Sequence, residues 1–193
     1  MDFPKPLLVC AFGWAILLAY WGLAALRASR AKVTEGPLQR LQHTIPLGIG
    51  FYLLFTRRRD FLITTPLFAT GWNCWIVYPG LALLAAGVAI CIWARVHLGR
   101  HWSGIITLKE GHELISTGPY AFVRHPIYTG WLLAMLGTAL TTGTWGGFIG
   151  VALVTAAFII KLRREEKLLA QEFGAGFDTF KQKVPAALFP LVY

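Results

Sequence analysis

The side chains that can do chemistry are concentrated in two stretches of the chain. The first, residues 112–130, contains histidines, tyrosines and an arginine and lies between two hydrophobic runs. The second, residues 163–167, is an unbroken run of arginine, glutamate and lysine that follows another hydrophobic run. A lipid-facing segment must satisfy its backbone polar groups internally, so we expect both stretches to line a pocket or meet water at a membrane surface.

Glycine and proline predict the local backbone of the first stretch. Gly118 and Pro119 predict a tight turn, because proline fixes φ and glycine permits conformations closed to other residues. The residue before a proline is pushed out of the helical region, so we expect His125 near the N-cap of a helix that begins at Pro126. The free N–H groups and partial positive charge of such a helix end favour a bound carboxylate or phosphate.

The second stretch offers the opposite charge. Glu165 and Glu166 are expected to leave their hydrophobic run at the same membrane level as the helix start at Pro126. A ligand carboxylate would then meet the helix N-terminus and a histidine, and a ligand ammonium would meet a glutamate. The two stretches together therefore predict a site for a zwitterion.

The composition indicates a small integral membrane protein. Of 193 residues, 56% are hydrophobic and 14% are charged, which is far more apolar than an ordinary soluble domain. The net charge of +9 comes from residues that flank apolar runs, so it indicates membrane topology and not nucleic-acid binding. Cys10, Cys74 and Cys91 are odd in number and lack metal-ligand spacing, so neither a disulfide framework nor a zinc site is predicted.

Hydrophobic segments predict an all-α membrane fold with about five transmembrane helices. Each arm of the C-terminal hairpin would span roughly 21 to 26 Å at 1.5 Å per residue, less than the hydrocarbon thickness, so the polar loop at its base is expected to dip toward membrane depth. An amphipathic extension, interrupted at Gly174 and Gly176, should follow the last span. The predicted spans are residues 7–26, 38–55, 75–94, 126–142 and 147–160.

The charge distribution predicts the orientation. With the N-terminus outside and five spans, residues 27–32, residues 95–124 and the C-terminal tail share one face, which carries most of the 18 lysines and arginines. By the positive-inside rule that face is cytosolic, and the arginines at 57–59 are the contrary observation. Polar residues in the first half of the second span are expected to lie at the interface or to face other helices.

The sequence predicts neither a dinucleotide-binding loop of a soluble fold nor a metal site. Gly48-Ile49-Gly50 and Gly174-Ala175-Gly176 lack the third glycine and the strand–helix context of a dinucleotide-binding loop. His97 and His101 are four residues apart, but no carboxylate or cysteine accompanies them, so no metal site is predicted.

Several motifs in a fixed order resemble the isoprenylcysteine carboxyl methyltransferase family, within the wider phospholipid methyltransferase-like membrane methyltransferases. The resemblance covers roughly residues 95–190. The matching pieces are His112-Glu113-Leu114-Ile115, Gly118-Pro119-Tyr120, Arg124-His125-Pro126-Ile127-Tyr128-Thr129-Gly130, Glu165-Glu166, and Phe173-Gly174 ahead of Val184-Pro185.

The resemblance implies a membrane methyltransferase that uses S-adenosylmethionine, releases S-adenosylhomocysteine and methylates a lipophilic acceptor such as the carboxylate of an isoprenylcysteine. The chain would form one membrane domain, in which residues 1–94 supply three spans and residues 95–193 form the catalytic region. The implied cofactor contacts are His112, Glu113, Leu114, Ile115, Gly118, Tyr120, His125, Pro126, Ile127, Tyr128, Glu165 and Glu166. The implied catalytic or acceptor-binding residues are Arg124, His125, Lys161 and Arg163.

Other interpretations remain open from the sequence alone. A phospholipid-amine N-methyltransferase would share the cofactor site but needs a base, because an ammonium must lose a proton before attack. A membrane reductase with a nicotinamide cofactor would need several basic residues for phosphates, against which the paired glutamates argue. A non-catalytic lipid-binding protein would use His125-Pro126 only as a helix start and Tyr120, Tyr128 and Trp131 as interfacial anchors.

Overall fold

The computed structural model describes residues 5–26, 31–34, 36–56, 62–99, 107–109 and 114–189. Arg27, Arg30, residues 57–59, His101, His112 and Glu113 lie outside these ranges. Within them the chain forms helices α1 (Lys5–Ala25), α2 (Pro37–Phe55), α3 (Val77–Leu98), α4 (Pro126–Thr142), α5 (Trp145–Phe173) and α6 (Ala175–Lys183), strands β1 (Ala31–Thr34) and β2 (Thr107–Lys109), and two 3-10 helices (Leu62–Thr64 and Gly118–Ala121).

The helices follow the predicted hydrophobic segments closely. α4 has the predicted bounds, and α5 continues through the charged residues 163–167 before it ends beside Gly174, which has a positive φ of 51°. Phe177 of α6 is buried, which confirms an amphipathic extension after the last apolar run. The predicted interruption at Gly176 is wrong, because that residue lies inside α6. One glycine at positive φ suffices to end α5.

The all-α prediction is confirmed for the bulk of the chain but missed one small sheet. β1 and β2 pair in antiparallel fashion, with Val33 opposite Leu108 and Thr34 opposite Thr107. Strands of three and four residues carry no recognisable alternation, so their pairing depends on contacts that lie far apart in the sequence. This pair joins the α1–α2 connection to the α3–α4 connection.

Three of the described helices are long and apolar enough to cross a membrane, namely α1, α3 and α5. α4 has 17 residues, and the first half of α2 is polar, with Pro46 inside the helix. Part of this polar half meets another helix, one of the two expected outcomes: His43 is buried, and Gln42, although exposed, accepts a hydrogen bond from Arg164 of α5. Membrane crossing by α2 and α4 stays a prediction.

The described parts of the three polar segments that were predicted to share one face lie at the same end of the helices. The Arg95 guanidinium, at the end of α3, donates to the carbonyl oxygens of Ala24 in α1 and Gly99, both at 2.6 Å. A cation at two helix C-termini compensates the partial negative charge of both. The β1–β2 pair lies at this end, and the C-terminal segment returns to it. At the opposite end the turn between α4 and α5 meets the α2–α3 connection, where the Leu67 amide donates to the Gly143 carbonyl at 2.7 Å.

Glycines bring α3 and α4 into backbone contact. A Cβ atom on Gly87 would lie 2.4 Å from the carbonyl oxygen of Gly130, and one on Gly137 would lie 2.4 Å from that of Gly80. Small residues allow this approach between membrane helices, where dispersion and weak hydrogen bonds replace the hydrophobic effect as the source of association. The contact fixes the height and rotation of α4 against α3.

A methyl group added inside this contact tests the packing. We expect Gly137→Ala to lower the thermal unfolding temperature in detergent, because overpacking costs about 1–3 kcal/mol. The matched control is Gly22→Ala in α1, where an added Cβ meets none of the described residues within 4 Å. Equal unfolding temperatures for the two variants would contradict the close approach of α3 and α4.

Candidate functional site

The start of α4 forms one wall of the candidate site, as the proline pattern predicted. His125 is the N-cap residue, Pro126 is the first helical residue, and the Tyr128 and Thr129 amides donate to the His125 carbonyl at 3.0 and 3.2 Å. The preceding turn is also confirmed, because Gly118 opens a 3-10 helix with a φ of 58°. The backbone at both prolines is therefore set locally by the residues that predicted it.

An imidazole from α3 packs against that turn. A Cβ on Gly118 would lie 2.7 Å from the His97 ring, and His97 Nε2 lies 2.9 Å from the Thr117 hydroxyl. His97 was considered from the sequence only as a weak metal candidate. Its observed contacts instead fix the segment that leads into the start of α4.

α5 forms the facing wall and brings both glutamates to His125. The His125 Nε2 atom lies 3.2 Å from Glu166 Oε1, and its Nδ1 atom lies 3.6 Å from Glu165 Oε2. Arg124 Nε donates to the same Glu166 oxygen at 2.7 Å, and the Tyr128 hydroxyl donates to Glu165 at 2.6 Å. The two predicted stretches therefore meet, as expected, at the N-terminus of α4.

The two glutamates differ in their surroundings. Glu166 accepts from a guanidinium and has 15% of its side chain exposed, whereas Glu165 accepts from a neutral phenol and has 21% exposed. Charge-assisted hydrogen bonds are the stronger kind, so Glu166 is bound more firmly by the protein. Glu165 is the carboxylate better disposed to accept a further positive charge.

Aromatic rings lead from this polar cluster toward the apolar interior. The rings of His125 and Tyr128 stack with centroids 5.4 Å apart, and Tyr128 stacks on Phe158 of α5 at 4.7 Å. The ammonium of Lys161, a residue only 7% exposed, lies 5.4 Å from the centroid of the Tyr128 ring. Tyr128 thus has the carboxylate of Glu165 at its hydroxyl and a buried cation over its face.

The segment that follows α6, residues 184–188, covers the start of α4. The amides of Arg124 and His125 donate to the carbonyls of Ala186 and Ala187, both at 3.0 Å. Fewer free N–H groups therefore remain at this helix end than expected, because Pro126 has no N–H. The next amide along the chain that a ligand could reach is that of Ile127. The sequence placed Val184-Pro185 in the family pattern but gave no signal for this contact. The segment also accepts hydrogen bonds from Arg124 Nη1, at the carbonyls of Val184 (2.8 Å) and Pro185, and from the Thr129 hydroxyl, at the carbonyl of Leu188.

The remaining predicted site residues lie at different distances from the cluster. Tyr120 is buried, which raises the pKa of its phenol, and the charge of Glu165 adds to the shift. Arg163 has an exposed side chain, and Arg164 donates to Gln42 of α2, so the structure does not bring these two arginines to His125. Leu114, Ile115 and Ile127 are half-buried and Pro126 is buried, while His112 and Glu113 lie outside the described residues.

Fold and site together define an α-helical membrane protein with a buried charged cluster at one end. The isoprenylcysteine carboxyl methyltransferase (ICMT) family model matches residues 80–171. A rice (Oryza sativa subsp. indica) protein named probable protein-S-isoprenylcysteine O-methyltransferase is 33% identical over 170 residues, which are 86% of this chain and 86% of the relative. The chain therefore belongs to the isoprenylcysteine carboxyl methyltransferase family, which confirms the resemblance seen in the sequence.

Two further comparisons bound how far the likeness extends. A protein-S-isoprenylcysteine O-methyltransferase from Schizosaccharomyces pombe is 32% identical over 115 residues, and this chain spans only 48% of its length. A solved structure of the eukaryotic intramembrane Ras methyltransferase ICMT matches 83% of this chain and 55% of its own chain, with a TM-score of 0.51 and 20% identity. That likeness shows a shared fold, and with the apolar helices it identifies an integral membrane protein.

The contact between His97 and Gly118 can be tested by separating backbone strain from steric conflict. Alanine at a positive φ is strained, and Gly118→Ala and Gly174→Ala both introduce such strain because both glycines have positive φ. We expect Gly118→Ala to lower the unfolding temperature further, since only its Cβ meets the His97 ring. The double variant His97→Ala/Gly118→Ala should recover the difference, and a Gly118→Ala no worse than Gly174→Ala would show that the ring can move aside.

Proposed function

We propose that this protein transfers the methyl group of S-adenosylmethionine to the carboxylate of a lipophilic acceptor, an isoprenylcysteine or a similar amphiphile. The observation that carries the proposal is the convergence of His125, Glu165 and Glu166 where α5 leaves its apolar part. This arrangement suits the amino-acid end of the cofactor, which is a zwitterion. The relatives' names supply the reaction class.

The amino-acid end of the cofactor would be held by groups of opposite charge. Glu165 would accept the ammonium, because it is more exposed than Glu166 and its bonded partner Tyr128 is neutral. The carboxylate would meet the Ile127 amide and the partial positive charge at the start of α4. The segment 112–115 and the ring of Tyr120 would complete the cofactor site, as the family pattern implies.

The acceptor carboxylate would bind nearer the apolar interior, at Lys161. This ammonium is buried beside Tyr128, and an acceptor carboxylate bound next to it would gain a charge-assisted contact. Lysine presents a point charge where arginine would present a bidentate fork, so Lys161 would attract the acceptor but orient it less tightly. Arg163, with its exposed side chain, suits attraction of an anionic acceptor to this end.

Methyl transfer to a carboxylate requires the protein mainly to align the two reactants. The cofactor supplies an electrophilic methyl group on a sulfonium; the carbon–oxygen bond forms as the carbon–sulfur bond breaks, and the electron pair of that bond stays on sulfur. A carboxylate is already ionised at neutral pH, so no general base is required. Holding the two reactants in line and excluding water can lower the barrier by roughly 7–11 kcal/mol.

The site would open to the cytosol. Positive charge in residues 27–32, 95–124 and 161–183 favours a cytosolic location for the end that carries the cluster. α2 and α4 would cross the membrane with α1, α3 and α5, giving five spans with the N-terminus outside. The chain would then form one membrane domain, with the transfer chemistry in residues 95–193 and membrane lipids around the helices.

The two glutamates provide the first test of the cofactor site. We expect Glu165→Gln to weaken S-adenosylhomocysteine binding about ten- to a hundred-fold in isothermal titration in detergent, because it removes a charge-assisted bond worth roughly 1.5–3 kcal/mol. Glu166→Gln should mainly lower the unfolding temperature, since it leaves the Arg124 charge buried without its carboxylate. Asp178→Asn, which changes an exposed carboxylate on α6, is the control. Wild-type affinity in both glutamine variants would refute the zwitterion site.

Lys161 provides a separate test of the acceptor. We expect Lys161→Gln to raise the KM for an isoprenylated cysteine derivative about tenfold or more while S-adenosylhomocysteine affinity stays unchanged, and Lys161→Arg to retain a low KM. Labelled methyl groups should appear in base-labile esters. Transfer into base-stable amine products would favour a phospholipid amine as the acceptor, with His125 as the base that removes its proton.

A further inference from the structure

We infer that Arg124 is a positioning residue that couples the C-terminal segment 184–188 to Glu166, so that this segment is a working part of the site. The inference rests on the proposed function where it concerns S-adenosylhomocysteine. The sequence pattern had assigned Arg124 to catalysis or acceptor binding. Its observed contacts indicate a different role.

One guanidinium joins the two groups. Its Nε atom donates to Glu166 at 2.7 Å, while Nη1 donates to the carbonyl of Val184 at 2.8 Å and to that of Pro185. The Arg124 side chain is only 8% exposed. Because the guanidinium is planar and rigid, its Nε and Nη1 directions are fixed relative to each other. A displacement of the segment therefore turns the group that holds Glu166.

The backbone repeats the connection. The Arg124 and His125 amides donate to Ala186 and Ala187, so the segment contacts both the side chain and the main chain of the N-cap region. His125 in turn lies 3.2 Å from Glu166. The segment, the N-cap and the glutamate thus form a closed set of contacts in which each member restrains the next.

The segment is also anchored on its other side. Val184 is 1% exposed, and the Lys183 ammonium donates to the Ser116 hydroxyl at 3.0 Å. Ser116 lies between the segment 112–115, expected to contact the cofactor, and the turn at Gly118. The chain is therefore held on both sides: Lys183, just before the segment, contacts the connection that leads to Gly118, and the segment itself contacts the start of α4.

Thermodynamic linkage makes this coupling measurable without an activity assay. If a docked segment improves ligand binding by some factor, ligand binding must strengthen docking by the same factor. The amides of Arg124 and His125 report docking directly, because their hydrogens exchange with solvent only when the bonds to Ala186 and Ala187 open. Their exchange rates therefore measure the coupling residue by residue.

The first arm of the experiment needs no ligand. Hydrogen exchange in detergent should be about tenfold faster at the Arg124 and His125 amides in Glu166→Gln than in Glu165→Gln, because Glu166 is the glutamate of the two that accepts from the guanidinium. Equal exchange at these amides in the two variants would overturn the inference, whatever the ligand. This outcome is independent of whether the protein binds S-adenosylhomocysteine.

The second arm uses S-adenosylhomocysteine and three variants. We expect the ligand to slow exchange at both amides about tenfold in the wild-type protein and in Lys167→Gln, which removes an exposed charge from the same turn of α5. Arg124→Gln and Arg124→Lys should both lose this protection and bind the ligand about tenfold more weakly, since lysine keeps the charge but not the fork.

The outcomes distinguish a failure of the positioning role of Arg124 from a failure of the proposed cofactor. Full ligand affinity in Arg124→Lys would mean that only the charge matters and would overturn the positioning role. Ligand binding to wild-type protein that leaves both amides unprotected would also overturn it, even if the Arg124 variants do not fold. Absence of ligand binding in monodisperse wild-type protein would instead refute the proposed cofactor, and the first arm would still decide the coupling of Arg124 to the segment.

Discussion

The burial of ionised groups at one end of the helices is the constraint on which the rest of this structure depends. Arg124 and Glu166 have side chains that are 8 and 15% exposed, and a buried charge is costly unless it is paired and hydrogen-bonded. Pairing requires Arg124, just before the start of α4, and Glu166 of α5 to lie at the same height. It also requires carbonyl oxygens from outside both helices, and the C-terminal segment supplies them.

Glycine packing provides the precision that such pairing needs. Contact at Gly87 and Gly130 fixes α4 against α3, and a Cβ on Gly150 would lie 2.8 Å from the carbonyl of Gly50, so α5 is fixed against α2 in the same way. A hydrogen bond weakens quickly when its atoms shift by a few tenths of an ångström. The packing of the apolar helices therefore determines the geometry of the charged end, although none of the glycines in these contacts belongs to the charged cluster.

Local chemistry explains which features were predictable from the sequence. The start of α4 at Pro126 and the turn at Gly118 follow from residues that restrict their own backbone, and the helices follow from apolar runs. The β1–β2 pair and the carbonyl contacts of residues 184–188 depend on backbone groups. Because every residue has a backbone carbonyl, no residue type in the sequence predicts these contacts. Arg124 was selected as a site residue from its motif, but only its partners in space distinguish positioning from substrate contact.

The adjacent glutamates illustrate how a helix can divide one task between neighbouring residues. Successive helical residues point about 100° apart, so Glu166 turns toward Arg124 while Glu165 turns toward Tyr128. Lys161 lies one helical turn from Glu165, about 6 Å along α5 toward the apolar end, and both lie against Tyr128. Under the proposed function a water-soluble zwitterion would reach Glu165 from the cytosol and a lipid-borne carboxylate would reach Lys161 from the bilayer. The ring of Tyr128 would then lie between Glu165, which holds the water-soluble cofactor, and Lys161, which holds the lipid-borne acceptor. The methyl group would pass from one reactant to the other beside this ring.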